Sequence, residues 1–326
     1  MKKVLKIIGG FLLFQIIYLP LLFIALVYYG PFTNIRDMIV TTSMTTMRHQ
    51  YFATFFLSDE TIQEILKRNR PEEVLADQNL DDIKIKNKAK NSDNAKDGIE
   101  LVDVSSKTFK GYLLVVDDPS RVKLAAAPRL GVVGSTTSQI VEANDAIGGI
   151  NAGGFADDAL GTGGKPSGIL ITDGQIQSTD YYGSYSIVGI DNDNKLIVSN
   201  SMTYYTMQQL NLHSAVSFGP IIVINGQPTI RYGDGGYGLQ PRTAIGQTKD
   251  GKILMLVIDG RQSDSLGATM KNVQDIMLQY GAYNAFNLDG GASTTMVYDS
   301  KLVNNPSDIM GERYVPCAFI ITKPNK

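Results

Sequence analysis

KILMLVIDG (residues 252–260) and AYNAFNLDGG (282–291) are apolar runs that each end in Asp-Gly. Between them Met270, Val273, Ile276, Met277 and Tyr280 recur at helical spacing, and Gly281 sits where a helix-ending glycine belongs. The pattern predicts strand, helix, strand, with the two strands pairing in parallel. Outward from there, apolar runs are short and end in turn residues. Asp173-Gly174 divides GILIT from QIQS, Asn225-Gly226 follows GPIIVI, and DNDN (191–194) joins SIVGI to KLIVS. Asn, Asp and Gly tolerate positive φ, so each is a hairpin signal. A second helix is expected around 135–144. The class is α+β: a mixed, largely antiparallel sheet with packed helices.

Four segments share one design, an apolar strand running into glycines with Asn, Asp, Arg or Ser. They are GGINAGGFADD (148–158), QPRTAIG (240–246), VIDGRQ (257–262) and NLDGGASTTM (287–296). Glycine lets backbone approach a ligand, and polar side chains at strand ends supply directed donors and carboxylates. GTGGKPS (161–167) and GDGGYG (233–238) lack the spacing of nucleotide-binding loops. Ser293 is not in a nucleophile elbow, and His213 reads as a structural strand residue.

The remaining sequence sets boundaries. Of 326 residues 43% are hydrophobic and 19% charged, a foldable composition. Past residue 30 the chain carries 27 basic and 32 acidic residues, which argues against nucleic acid as a partner. One cysteine, Cys317, excludes an internal disulfide framework, and two histidines exclude a multi-histidine metal centre. Residues 7–29 are uncharged and long enough to cross a bilayer, longer than a signal-peptide apolar region and without its cleavage site. Residues 1–30 are therefore expected to be a cytoplasmic tip and single-pass anchor in the cell membrane. Lys2, Lys3 and Lys6 place the N-terminus in the cytoplasm and the C-terminal part outside. Residues 31–75 read as a helical stalk with Ser58 as an N-cap, 76–98 as a flexible linker, and 99–326 as the exported domain.

NAGGF (151–155), PRTAIG (241–246), DGRQ (259–262), NLDGGASTTM and GERYVPCAFII (311–321) together resemble the phosphodiester glycosidase family. The family takes its name from the animal lysosomal uncovering enzyme, and bacterial relatives are often labelled exopolysaccharide biosynthesis proteins. The resemblance covers about residues 100–324; NLDGGAST combined with PRTA is its most specific part. NAGGF stands where NGGYF is frequent, and GGAS where GGGS is frequent; the missing tyrosine ahead of Phe155 bears on which sugar packs there.

The resemblance implies hydrolysis of a bond between an anomeric carbon and a phosphate in an envelope or exopolysaccharide polymer. Alternatives are a glycan- or phosphate-binding module without turnover, and a transferase using the same pocket. Such hydrolysis needs an anion clamp, carboxylates at the anomeric carbon and hydrogen bonds to sugar hydroxyls. Arg242 is the first choice for the clamp and Arg313 the second, with Gly290, Gly291, Ser293 and Thr294 completing a phosphate nest. Asp289 ranks first as nucleophile or base, followed by Asp259, expected beside it at one sheet edge, with Glu312 as a possible acid. Asn151 and Asp157 would hold sugar hydroxyls or orient a carboxylate; Gly153, Gly154, Thr243 and Arg261 complete the substrate-binding set. No cofactor is required by the sequence. Ca²⁺ or Mg²⁺ on aspartates such as Asp157, Asp158 and Asp289 stays open.

Overall fold

A computed structural model describes residues 2–46, 49–72, 77–85, 97–156, 161–179 and 181–324. It divides into two units.

The first unit is helical. Helix α1 (Lys2–Tyr29) includes a 24-residue stretch, Lys6–Tyr29, long and apolar enough to cross a membrane. It is followed by α2 (Thr33–Met44), α3 (Tyr51–Thr54) and α4 (Asp59–Asn69). Ser58 caps α4 as its sequence position predicts, accepting the Thr61 N–H, with Asp59 and Glu60 in the first turn and Lys67 and Arg68 in the last. Val40, Ala53, Ile62 and Ile65 form a small core, so the helices of residues 33–69 pack as a cluster. That unit also takes in residues 232–238, distant in sequence. Asp234 accepts the Thr41 hydroxyl, and its N–H donates to Asn69 Oδ1.

The second unit carries the sheets. Its N-terminal part holds β1 (Ile99–Asp103), β2 (Gly111–Val116), β3 (Val122–Ala126), α5 (Thr137–Ala143), β4 (Gly148–Asn151), β5 (Leu170–Thr172) and β6 (Gln175–Ser178). Then come β7 (Ser184–Asp191), β8 (Leu196–Thr203), α6 (Tyr204–Gln208), β9 (Leu212–Ser217), β10 (Ile221–Ile224) and β11 (Gln227–Pro228). The last part holds β12 (Arg242–Thr248), β13 (Ile253–Ile258), α7 (Met270–Gln279), β14 (Ala282–Leu288), β15 (Met296–Tyr298), β16 (Lys301–Leu302) and β17 (Cys317–Ile321). Three sheets result: β1-β2-β13-β12-β14-β10-β11, β16-β15-β4-β17-β3 and β6-β5-β9-β7-β8.

Every strand pairing among the described residues is antiparallel. The expected parallel pair does not form. β12 and β13 close first as a hairpin over residues 249–252, and the chain through α7 then returns β14 to the other edge of β12. β13 and β14 therefore run the same way with β12 between them. The hairpin turns follow their residues: Asp173-Gly174 and Asn225-Gly226 both have positive φ, and Asn194 closes the DNDN turn at φ 60°.

Both faces of the large sheet are buried, which explains why KILMLVI is continuously apolar. Ile253, Met255 and Val257 face the core shared with the other two sheets, while Leu254, Leu256 and Ile258 pack with Val273 and Met277 of α7. Residues 77–85 correct the linker expectation. Gln78 bonds Leu196 and Val198, Lys84 N–H donates to the Lys249 carbonyl, Tyr283 donates to Asp82, and Ile83 is buried. The rest of the linker stretch, 86–96, lies outside the described residues.

Candidate active site

The four glycine-polar clusters converge. Because β12 lies antiparallel between β13 and β14, its PRTA start sits beside both Asp-Gly strand ends. Asn151, at the end of β4 and fully buried, ties them together. Its Nδ2 donates to the Asp289 carbonyl at 2.6 Å, and its Oδ1 accepts from the Thr243 hydroxyl at 2.8 Å and the Thr295 N–H at 3.1 Å. Asn304 extends the network, donating to the Thr294 carbonyl and the Asp259 carboxylate and accepting the Met296 N–H. Buried polar groups so fully paired hold one geometry.

Against this frame opens a cleft of about 480 Å³, with Asp289 and Arg313 in its lining. The Asp289 backbone is held at both ends, its N–H donating to the Ala152 carbonyl at 2.9 Å, so the side chain leaves a fixed platform. The Arg313 guanidinium lies over the Phe155 ring, 5.0 Å from its centroid, which is cation–π distance. The facing wall is built from Ser184, Tyr185 and Ser186 of β7 and from Ser217 and Phe218 at the end of β9. Gly153 and Gly154 let this wall close: a Cβ would come within 2.2 Å of Val216 Cγ2 at Gly153 and within 3.0 Å of the Phe218 ring at Gly154. Burial pushes the Cys317 thiol beside Gly153 up to about 12, with the Asp289 charge as a lesser cause, so Cys317 packs without reacting.

The other expected residues are placed differently. Asp259 lies across β12 from Asp289, roughly two strand spacings or 9–10 Å away along the sheet edge, and is not in the cleft lining. It is 1% exposed, and its carboxylate accepts from Asn304 Nδ2 and the Asn305 N–H. The side-by-side carboxylate pair is thus not formed, because β12 separates the two strand ends. Arg242, the first choice for the clamp, is buried with its Nε on the Ala268 carbonyl at 3.0 Å. Arg261 holds Gln240 Oε1 through Nε and Nη2 beside Gly291. Glu312 accepts the Ser138 N–H in the first turn of α5.

The nest expectation also needs correction: Gly291 N–H donates to the Pro241 carbonyl, Ser293 N–H to Gly290 and Thr294 N–H to Gly291. Those donors close the turn. Asp157 and Asp158 lie outside the described residues, among which no group of three or more His, Cys, Asp or Glu is placed to hold a metal. Sequence reasoning missed the serine-aromatic wall, 184–186 and 217–218. The first opens β7 and the second closes β9, each beside a glycine, in GSYS and SFGP, but neither carries a charge to mark it.

Burial raises the Asp259 carboxyl above its ordinary value, outweighing the lowering by Asn304 and Asn305. The native state then holds this proton more tightly than the unfolded chain, so stability falls as pH rises from about 4 through the raised value. Asp259→Asn keeps an oxygen for the Asn304 and Asn305 donors and removes the charge. Denaturation midpoints of the variant are expected to lack this decline; wild-type and variant midpoints that track each other across pH 4–7 would contradict it.

Comparison with known proteins follows the same residues. A family model described as phosphodiester glycosidase matches residues 144–322. The chain belongs to the phosphodiester glycosidase family. Among its relatives, the SPbeta prophage-derived uncharacterized protein YomE of Bacillus subtilis is 40% identical over 85 residues, 26% of this chain. The bovine N-acetylglucosamine-1-phosphodiester alpha-N-acetylglucosaminidase is 36% identical over 70 residues, 22% of this chain. These alignments span 13% of each relative's own length. The zebrafish catalytic domain of that enzyme, auto-inhibited by its pro-peptide, superposes with a TM-score of 0.59 at 22% identity, over 72% of this chain and 87% of that one. The fold is therefore that of the family's catalytic domain.

Proposed function

We propose that the chain is a membrane-anchored hydrolase cleaving the bond between a sugar's anomeric carbon and a phosphodiester in an envelope or exopolysaccharide polymer. The observation that carries this reading is the placement of Asp289 and Arg313 in one cleft walled by aromatic rings and hydroxyls. Arg313 offers a planar fork that matches two phosphate oxygens while Phe155 supports its face. Asp289 attacks or stabilises the oxocarbenium-like centre. Ser184, Ser186 and Tyr185 hold sugar hydroxyls. Phosphate is a good leaving group, which relaxes the need for a general acid and fits a cleft that neither Asp259 nor Glu312 lines. Helix α1 supplies the anchor, and its N-terminal lysines put the sheet unit outside the cytoplasm.

Full-length protein in detergent, incubated with an N-acetylglucosamine-1-phosphodiester with and without Ca²⁺ or Mg²⁺, is expected to release the sugar. Binding without release would instead make it a glycan-binding module, and release only with a sugar acceptor present a transferase. Arg313→Lys keeps the charge but loses the fork and the stacking, so KM is expected to rise about tenfold with kcat changed less. An unchanged KM would move the clamp elsewhere. Protease added to intact protoplasts is expected to cut the sheet unit; full protection would overturn the orientation.

A further inference from the structure

Tyr181, Tyr182 and Tyr205, with the half-buried Tyr204 between them and the core, form an aromatic surface next to the cleft. Tyr182 is 98% exposed, Tyr205 71% and Tyr181 59%. The rings are ordered against one another: Tyr181 meets Tyr204 edge-to-face at 4.7 Å, and Tyr204 meets Tyr205 at 5.7 Å. Their position follows from strand register. Ser184 pairs with Thr203, so the turn before β7 and the residues after β8 lie at the same end of that pair. Gly183 joins this surface to the cleft: a Cβ there would sit 2.5 Å from the ring of Tyr185, which lines the cleft wall.

We infer that this surface is a second binding subsite, holding further sugar units of a polymeric substrate whose scissile linkage lies at Asp289. The inference rests on the hydrolase reading for the identity of the linkage. The chemistry favours a glycan as occupant. Tyrosine combines an apolar ring face, which covers the CH face of a pyranose, with a hydroxyl that stays hydrogen-bonded in water. Residues 181–186 and 199–208 carry no charged side chain and add Ser184, Asn200, Ser201 and Thr203 as further polar groups. A membrane-surface patch would carry Lys or Arg, which these segments lack. Continuity with the cleft through Gly183 and Tyr185 gives the bound polymer a direction, from the scissile phosphate over β7 toward α6.

The test uses the full-length chain in detergent and its Tyr182→Ala, Tyr205→Ala double variant; both side chains are exposed, so the fold is kept. Two probes are compared: the methyl phosphodiester of N-acetylglucosamine-1-phosphate, and a trimer of N-acetylglucosamine joined by phosphonates in which CH₂ replaces each anomeric oxygen, so that the proposed scissile C–O bond is absent. The variant is expected to bind the trimer at least tenfold more weakly by calorimetry, while binding and turnover of the monomer stay within twofold. Equal losses on both probes, or no loss on the trimer, would overturn the subsite. So would an unchanged trimer affinity accompanied by lost self-association or lost vesicle binding, which would assign the tyrosines to a second copy or a lipid surface. Tyrosine-dependent trimer binding without any cleavage of the monomer would keep the subsite and remove the hydrolase reading.

Discussion

Asp289→Asn is expected to lower kcat on the order of a thousandfold or more and to leave KM within about threefold. Asparagine keeps the shape and removes the charge that would attack or stabilise the anomeric centre. The Asp289 backbone keeps its bonds to the frame in the variant, its N–H donating to Ala152 and its carbonyl accepting from Asn151. Steady-state kinetics on a soluble sugar-1-phosphodiester checks it. Near-normal kcat in a folded variant would remove Asp289 from the chemistry, and with it the main support for the hydrolase reading.

Asn151→Ala is expected to cost about 3 kcal/mol of stability, a fall in melting temperature of roughly 6–12 °C. The methyl group cannot replace the Nδ2 donor or the Oδ1 acceptor, so the Asp289 carbonyl, the Thr243 hydroxyl and the Thr295 N–H lose a partner in a fully buried site. Activity falls with it, because the loop that presents Asp289 loses its brace. The fully buried Cys317 thiol supplies a convenient readout, since it reacts with alkylating reagents only when this region opens. A melting temperature within about 2 °C of wild type would show that the network is redundant.

What was legible in the sequence was local. Asp173-Gly174 and Asn225-Gly226 form their turns because only such residues sit comfortably at positive φ, and Gly281 follows the end of α7 at φ 79° for the same reason. The four strand-end clusters were legible for the same reason. Their assignment to roles was not, because whether an Asp or Arg side chain turns into the cleft or into the frame depends on partners tens of residues away. Asp259 is captured by Asn304 and Asn305, and Arg242 by Ala268. The serine-aromatic wall escaped because it carries no charge. The linker expectation failed over 77–85 because a polar segment with few apolar side chains still docks when Ile83 finds a pocket and Gln78 finds unpaired strand backbone.

The sheet β6-β5-β9-β7-β8 is drawn wholly from one uninterrupted stretch, residues 170–217, whereas the frame around Asp289 is assembled from β4, β12 and β14 on either side of it. One wall of the cleft, Ser184 to Ser186 with Ser217, therefore comes from a contiguous block, while Gly154, Phe155, Asp289 and Arg313 come from outside it. The block contains none of the side chains that hold the Asp289 backbone, yet its inner face packs into the core shared with β12, β13 and β14, so a replacement block has to match that core. A grafting experiment in search of new substrates has its cut points drawn already, in the loops just before Leu170 and just after Phe218.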